Sequence, residues 1–276
     1  MALTVNTNVS SMTALGHLNG TNRNLESTFS RISSGLRINK AGDDAAGLAV
    51  AENLAAEQQS LRQAARNTND GISVIQTAEG ATNEVGDILK RMRELAVQSS
   101  SETLANSERA YIQDEYTQLA EEIDRISEVT NFNGVSLSNG SKGTVDVQVG
   151  IFNTTNDRIS ISLGDLRATS LGVDSGNMSM SSAGSAQAAL TALDTSIDSI
   201  NKIRSQFGSA QNRLESSLNN LHAYTENLAG AESRIRDADF AFETAQMSKF
   251  QTMQQAGIAI LGQANGLTQG ALRLIG

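Results

Sequence analysis

The 276-residue chain contains no cysteine, no proline and no tryptophan. Without cysteine there can be no disulfide, no thiolate nucleophile and no zinc–sulfur centre. Without proline nothing forces a helix to stop or kink, so long uninterrupted helices are permitted. Aromatic residues make up only 4% of the chain. Large aromatic side chains dominate thick cores, so this composition suits thin seams of Ala, Leu, Ile and Val between helices. Positive charge is also scarce: 21 Lys and Arg stand against 30 Asp and Glu, a net charge of -9. The cations are scattered rather than gathered on one face, which argues against nucleic acid as a partner. No apolar run reaches the ~18 residues of a membrane-spanning helix. The N-terminus lacks a basic stretch followed by an apolar run, so no cleavable signal peptide is expected. The chain reads as cytosolic, or as exported by a route that ignores such peptides.

What is present is helical periodicity. Near the start an apolar stripe reads Val5, Val9, Met12, Leu15, Leu18, Asn22, Leu25, Phe29, Ile32, Leu36. Near the end another reads Ile235, Ala238, Phe242, Ala245, Phe250, Met253, Ile258, Leu261, and continues to Leu272 and Ile275. Spacings of three and four place each stripe on one helix face. Chain ends usually fray. Ends this strongly patterned are expected to pair with each other and with neighbouring copies, and to order only in an assembly. The first helix is predicted to run to about Ile38, with Gly42 as its C-cap and Asp43 or Asp44 capping the next helix.

A second stripe runs Leu54, Leu61, Ala65, Thr68, Ile72, Ile75, Ala78, Thr82, Val85, Leu89, Met92, Leu95, nearly the coiled-coil period. Asn69-Asp70-Gly71 is a turn signal inside it, but the register continues, which predicts one helix with a weak point. A third helix carries Ile112, Tyr116, Leu119, Ile123 and Ile126, closed by Asn131-Phe132-Asn133-Gly134. Residues 135–184 are rich in Ser, Gly, Asn and Thr. Within them Val145, Val147, Val149 and Ile151 alternate with polar residues, as do Ile159, Ile161 and Leu163, which predicts a β-hairpin and the one clear β signal. After Ser185 a long stripe resumes, from Leu190 and Leu193 through Phe207 and Leu214 to Leu228, with a joint near Ala229-Gly230 or Asp237. The expected fold class is mainly α: long-helix coiled coil and bundle from the N- and C-terminal segments, with one small central β-hairpin region.

Catalytic constellations are missing. His17 and His222 are the only histidines and neither has a triad-like serine or carboxylate arrangement. No His-Glu-x-x-His, Walker A or G-x-G-x-x-G after a strand occurs. Asp43-Asp44 lacks a third ligand at a metal-binding spacing, so capping is the preferred reading. No enzyme activity, cofactor or metal is expected. The run from Ala256 to Ile275 has Arg273 as its only charge. A membrane-active helix would look similar, but small residues that let helices pack closely favour the inner layer of a tube, so membrane insertion is not expected.

Several blocks carry a resemblance. The run from Arg31 to Ala49 (Arg31-Ile32-Ser33-Ser34-Gly35-Leu36-Arg37-Ile38-Asn39-Lys40-Ala41-Gly42-Asp43-Asp44-Ala45-Ala46-Gly47-Leu48-Ala49) resembles the signature of bacterial flagellins. So do the blocks Asn67–Ser73, Lys90–Gln98 and Asn131–Gly134, and at the far end Glu232–Asp239 and Gln255–Asn265. They occur in family order over nearly the whole chain outside the β region. A proline common in the family after the last block is replaced here by Gly266-Leu267-Thr268-Gln269-Gly270.

The resemblance implies a terminal coiled-coil domain from residues 1–42 and 236–276, and a helical bundle domain over 43–235 whose variable hairpin and loop region is 135–184. It implies a structural subunit of the extracellular bacterial flagellar filament, used for swimming and exported by the flagellar type III system. Terminal assembly would rest on Val9, Met12, Leu18, Leu25, Phe29, Ile32, Leu36, Ile235, Phe242, Phe250, Met253, Ile258 and Leu261. Arg91, Glu94, Leu95, Gln98 and Glu115 match positions that pack subunit on subunit and that an animal Toll-like receptor reads in many flagellins. An export chaperone would contact Ile258, Ile260, Leu261, Leu267 and Leu272. Junction and cap proteins are further implied partners. O-linked sugars on 170–185 stay an open alternative to an unmodified loop. The competing readings are a hook–filament junction protein and, further off, a coiled-coil adhesin.

Overall fold

The computed structural model describes residues 7–275, with side chains as far as Gly266. Among the described residues six α-helices and four short strands follow one another, with a single 3-10 turn at Thr155–Asp157: α1 Val9–Ser34, α2 Ala45–Ser99, α3 Asn106–Val129, β1 Asn131–Phe132, β2 Val135–Ser136, β3 Thr144–Gln148, β4 Arg158–Ser162, α4 Ala168–Leu171, α5 Ala183–Arg236 and α6 Phe240–Ile275. Residues up to Gln58 form one compact unit with those from Glu226 onward, and Gln59–Thr225 form the second. These divisions fall inside α2 and α5, not at the joints near residues 42 and 236.

In the first unit the Asn8 side chain accepts from Ser11 N (3.0 Å) and starts α1. The helix ends sooner than the sequence suggested. Gly35, not Gly42, takes the left-handed conformation (φ 72°) that terminates it, its N–H donating to Arg31 O at 2.8 Å. Beyond Gly35 the chain is extended and pairs with the α5–α6 joint: Leu36 bridges Asp237, Arg37 N donates to Arg236 O (2.7 Å), and Ala238 N donates to Gly35 O (2.9 Å). Those backbone partners are what helix continuation would have forfeited. Both acidic residues of the joint act on backbone. Asp43 accepts from Asn39 N and Lys40 N (3.1 and 3.0 Å), and these bonds hold its carboxyl below the usual range. Asp44 accepts from Gly47 N (2.9 Å), the N-cap of α2. Asp239 caps α6 through Ala241 N and Phe242 N.

In the second unit α2 runs straight through Asn69-Asp70-Gly71. Gly71 serves close approach rather than a turn: a Cβ there would lie 2.8 Å from Val147 Cγ2 of β3. β3 and β4 pair antiparallel with Val145 opposite Ile161 and Val147 opposite Ile159. Alternate residues of β4 point inward, so Ile159 and Ile161 pack with Val74, Ile75 and Ala78 of α2 and Phe207, Ala210 and Leu214 of α5. A second core is built from Leu89, Met92 and Leu95 of α2, Ile112, Tyr116 and Ile123 of α3, and Leu193 and Ile200 of α5.

Asn131–Gly134 does not merely close α3. It forms a second, minimal hairpin, β1–β2, whose apex residues Asn133 (φ 50°) and Gly134 (φ 78°) supply the two positive φ angles of a tight two-residue turn. The β3–β4 alternation is therefore not the whole β content. The Asn–Gly pair was the missed signal.

The polar stretch 164–182 is a strap over the helical core rather than a loose linker. Leu166, Ala168, Val173 and Met180 bury themselves there. Tyr116 donates to Val173 O (3.0 Å), Ser196 to Leu171 O (2.7 Å) and Ser99 to Met180 O (2.7 Å), while Ala168 N donates to Asp124 Oδ1 (2.8 Å) and Met180 N to Gln113. Burial, and secondarily the Asp174 carboxylate, pushes the Tyr116 phenol well above its ordinary value of 10.0. Below that value Tyr116 is neutral in both states and its full contribution is present. As pH rises beyond it the unfolded chain sheds the proton first, so stability falls. Tyr116→Phe should cost about 1–3 kcal/mol near neutrality by orphaning the Val173 carbonyl. It should also flatten the decline above about pH 10 in urea unfolding midpoints. An unchanged alkaline slope would count against burial of the phenol.

Candidate assembly and recognition surfaces

α1 and α6 lie side by side in the first unit and cross-link through polar side chains. Asn8 Nδ2 donates to Ala264 O (2.9 Å), Gln254 Nε2 to Asn22 Oδ1 (2.8 Å), and Arg31 pairs with Glu243 at 3.3 Å. Partners on α6 fall in number as α1 advances, so the two helices are antiparallel. Leu18 packs against Gly257, where an added Cβ would lie 3.2 Å from Leu18 Cδ1. Thr21, Thr28, Glu243 and Ala264 are buried in this unit. Polar groups at a helical seam set register, because any slip leaves them unpaired.

The residues predicted for assembly and chaperone contact divide. Leu18, Leu25, Ile32, Leu36, Ile235, Phe250 and Leu261 are half-buried. Val9, Met12, Phe29, Phe242, Met253, Ile258 and Ile260 instead stand 47–65% exposed. The α1–α6 seam does not absorb them. Large apolar side chains concentrated on one helix pair are the mark of an interaction surface. Leu267 and Leu272, like Val5 and Ile275, lie outside the residues whose side chains are described.

In the second unit Arg91 holds two carboxylates: its Nε and one terminal nitrogen donate to Glu115 (3.0 and 2.8 Å), the other to Glu94 (3.0 Å). Those bonds, Glu115 first, raise the guanidinium's already high pKa. Nearby Arg93 pairs with Asp194 (2.6 Å) and Lys90 with Asp87 (2.7 Å), each lowering its partner's carboxyl pKa. Arg91, Glu94 and Gln98 are exposed and Glu115 is half-buried. Leu95 corrects the sequence reading: it is 2% exposed, part of the core, and cannot meet an external partner in this fold. Arg109, which sequence reasoning passed over, is buried in the first turn of α3 and donates to Ser99 O (3.0 Å) and Ser101 O (2.7 Å), fixing the turn between α2 and α3.

His17 and His222 are exposed, and no group of His, Asp and Glu suited to a metal occurs among the described residues. Among those residues no helix is long and apolar enough to cross a membrane.

The description "Bacterial flagellin N-terminal helical region" matches residues 5–143, and "Bacterial flagellin C-terminal helical region" matches 190–275. The chain belongs to the bacterial flagellin family. It is 43% identical to a flagellin of Halalkalibacterium halodurans over 272 residues, covering 98% of this chain and 99% of that one. It is 40% identical to the flagellar filament core protein flaB2 of Brachyspira hyodysenteriae over 282 residues, again 98% and 99%. The crystal structure of Bacillus cereus flagellin matches 60% of this flagellin and 94% of its own chain, with a TM-score of 0.50 and 33% identity. The family is one of structural proteins. It accounts for two long terminal helices flanking a helical bundle with a hairpin.

Proposed function

We propose that this flagellin is the repeating subunit of the extracellular flagellar filament, a structural polymer used for swimming and not an enzyme. The carrying observation is the α1–α6 pair, which leaves Val9, Met12, Phe29, Phe242, Met253, Ile258 and Ile260 exposed. An isolated monomer gains nothing by displaying them, whereas packing against further copies removes them from water. The two domains proposed from the sequence, 1–42 with 236–276 and 43–235, remain part of this reading.

Export through the flagellar type III route is part of this reading, supported by family membership. A chaperone covering Ile258, Ile260 and half-buried Leu261 would answer the aggregation hazard that exposed Ile258 and Ile260 pose before assembly. Junction and cap proteins would meet the ends of the polymer. A Toll-like receptor of animal hosts is proposed to read the Arg91, Glu94, Gln98 and Glu115 face; Arg91→Ala should weaken signalling in receptor-bearing cells, and undiminished signalling removes that partner.

Electron microscopy of the full chain added to short filament seeds tests the central reading, beside a version ending at Gln254. Long uniform tubes from the full chain and none from the truncation are expected. Short caps instead of tubes would move the assignment to a hook–filament junction protein.

A further inference from the structure

Four Asn–Gly pairs occur in the chain: Asn19–Gly20, Asn133–Gly134, Asn139–Gly140 and Asn265–Gly266. In such a pair the glycine nitrogen can reach the asparagine side-chain carbon, because no Cβ crowds the approach. The fold treats the four very differently. Gly20 and Gly266 lie within α1 and α6, where the helical ladder engages their N–H groups. Asn265 also has a partner of its own. Asn139 is held at both ends of its carboxamide, accepting from Ser141 N (3.1 Å) and donating to Glu128 (3.4 Å).

Asn133 has none of these restraints. It is exposed at the apex of the β1–β2 turn at φ 50°. Among the described residues its carboxamide makes no hydrogen bond, and the Gly134 N–H donates to nothing. Beside it, Asn131 Nδ2 is occupied by Val129 O (2.9 Å). The turn is closed by strands of only two residues each, too short to hold the backbone rigidly.

We propose that Asn133–Gly134 is a site of intrinsic, enzyme-independent deamidation in the folded protein, and that it reacts ahead of the other three pairs. Hydroxide or water removes the Gly134 amide proton. The nitrogen attacks Cγ of Asn133, the bond from Cγ to the side-chain nitrogen breaks, and that nitrogen leaves as ammonia with a proton from solvent. Water then adds to one carbonyl of the five-membered cyclic imide and the ring opens. Opening at one carbonyl leaves aspartate at position 133; opening at the other routes the main chain through Cγ as isoaspartate. Nothing is oxidised or reduced, and water is the only co-reactant.

The two products differ structurally. Aspartate tolerates positive φ, so the turn survives with one more negative charge. Isoaspartate adds a carbon to the main chain and breaks the pairing of Phe132 with Val135, both of which pack against the hairpin core. The proposal does not depend on filament assembly.

The test holds the full-length chain in warm, mildly alkaline buffer and maps its peptides by mass, with isoaspartyl methyltransferase labelling, natively and in denaturant. In the native sample the peptide containing Asn133 should gain the mass change and the label several-fold ahead of the other three. In denaturant the four should converge. A native Asn133 no faster than Asn19, Asn139 or Asn265, or one that reacts only in denaturant, overturns the proposal. Asn133→Gln should abolish the early label, and a label persisting in that variant would also overturn it.

Discussion

Ile258→Asp, alone or with Phe29→Asp, is expected to abolish filament growth while leaving the monomer's unfolding transition unmoved. Ile258 is 57% exposed and Phe29 is 64% exposed, so in the monomer either carboxylate stays hydrated. Substitutions at such surface positions shift stability by only about 0.5 kcal/mol. In a polymer that covers the same positions, each subunit must desolvate a charge. Even a discounted penalty of about 3 kcal/mol per contact raises the concentration needed for growth by more than ~100-fold. Pelleting assays against seed concentration, read beside thermal melts, separate the two effects. Normal filaments from Ile258→Asp would mean that this face points to solvent in the polymer, and the assembly reading of α6 would fall. Glu243→Ala is the instructive contrast. It leaves Arg31 without its carboxylate inside the α1–α6 pair, so it should disturb the monomer and the filament together.

The terminal helices show where pattern reading stops. Each is helical, as the spacing of three and four required. The seam, however, runs through Ser11, Ala14, Leu18, Thr21, Leu25, Thr28 and Ile32 of α1 and through Glu243, Met247, Phe250, Gln254, Gly257, Leu261 and Ala264 of α6, all at least half-buried. Both sets keep a strict heptad. The apolar stripe coincides with them at Leu18, Leu25, Ile32, Phe250 and Leu261, lies one residue off at Met12, Leu15, Asn22, Phe29, Phe242, Met253 and Ile258, and two off at Val9 and Ala245. A reader who follows the largest hydrophobic side chain at each turn picks Met12, Phe29, Phe242 and Met253, which face outward. Between its Leu, Ile, Met and Phe positions the seam carries Ser11, Ala14, Thr21, Thr28, Glu243, Gln254, Gly257 and Ala264, small or polar residues that hydrophobicity alone does not mark. What tells them apart is the demand of a second partner surface, which a single chain's periodicity does not contain.

The bundle was more legible, because its partners lie within the same chain. The long α2, the third helix and the β3–β4 hairpin follow from periods of 3.5 and 2, since each buries its own stripe. Gly71 was the ambiguous signal there. Its role emerges only with Val147 packed over it. The strap 164–182 was illegible because its order rests on side chains elsewhere, Tyr116, Ser99, Gln113 and Ser196, donating to or accepting from its backbone. Composition reported only its abundance of Ser and Gly. Leu95 failed as a surface residue for a related reason. It sits one residue after exposed Glu94, and block resemblance carries no information about which neighbour turns inward.

Phe207→Ala should be the most damaging single truncation in the second unit, at about 3–5 kcal/mol. Phe207 is 2% exposed and occupies the hairpin core with Ile75, Leu214 and Ile161. That core has three walls: α2, α5 and the hairpin. Among the described residues the hairpin's two strands pair only with each other, and an isolated two-stranded hairpin is marginal in water. Its order therefore depends on the apolar floor that Phe207 supplies, and little nearby can collapse into the space left by the ring. The corresponding fall in melting temperature is roughly 6–20 °C for a domain of this size. Hydrogen exchange at Val145, Val147, Ile159 and Ile161 should rise before that of α3, whose core is a separate one. Tyr111→Ala, at a residue 75% exposed, serves as the control and should stay within about 0.5 kcal/mol. Below its lowered melting point the Phe207→Ala protein should still elongate seeds, because the exposed apolar residues of α1 and α6 are untouched. Loss of elongation at a temperature where the variant is fully folded would show that the hairpin core itself, and not only the terminal helices, bears the contacts of assembly.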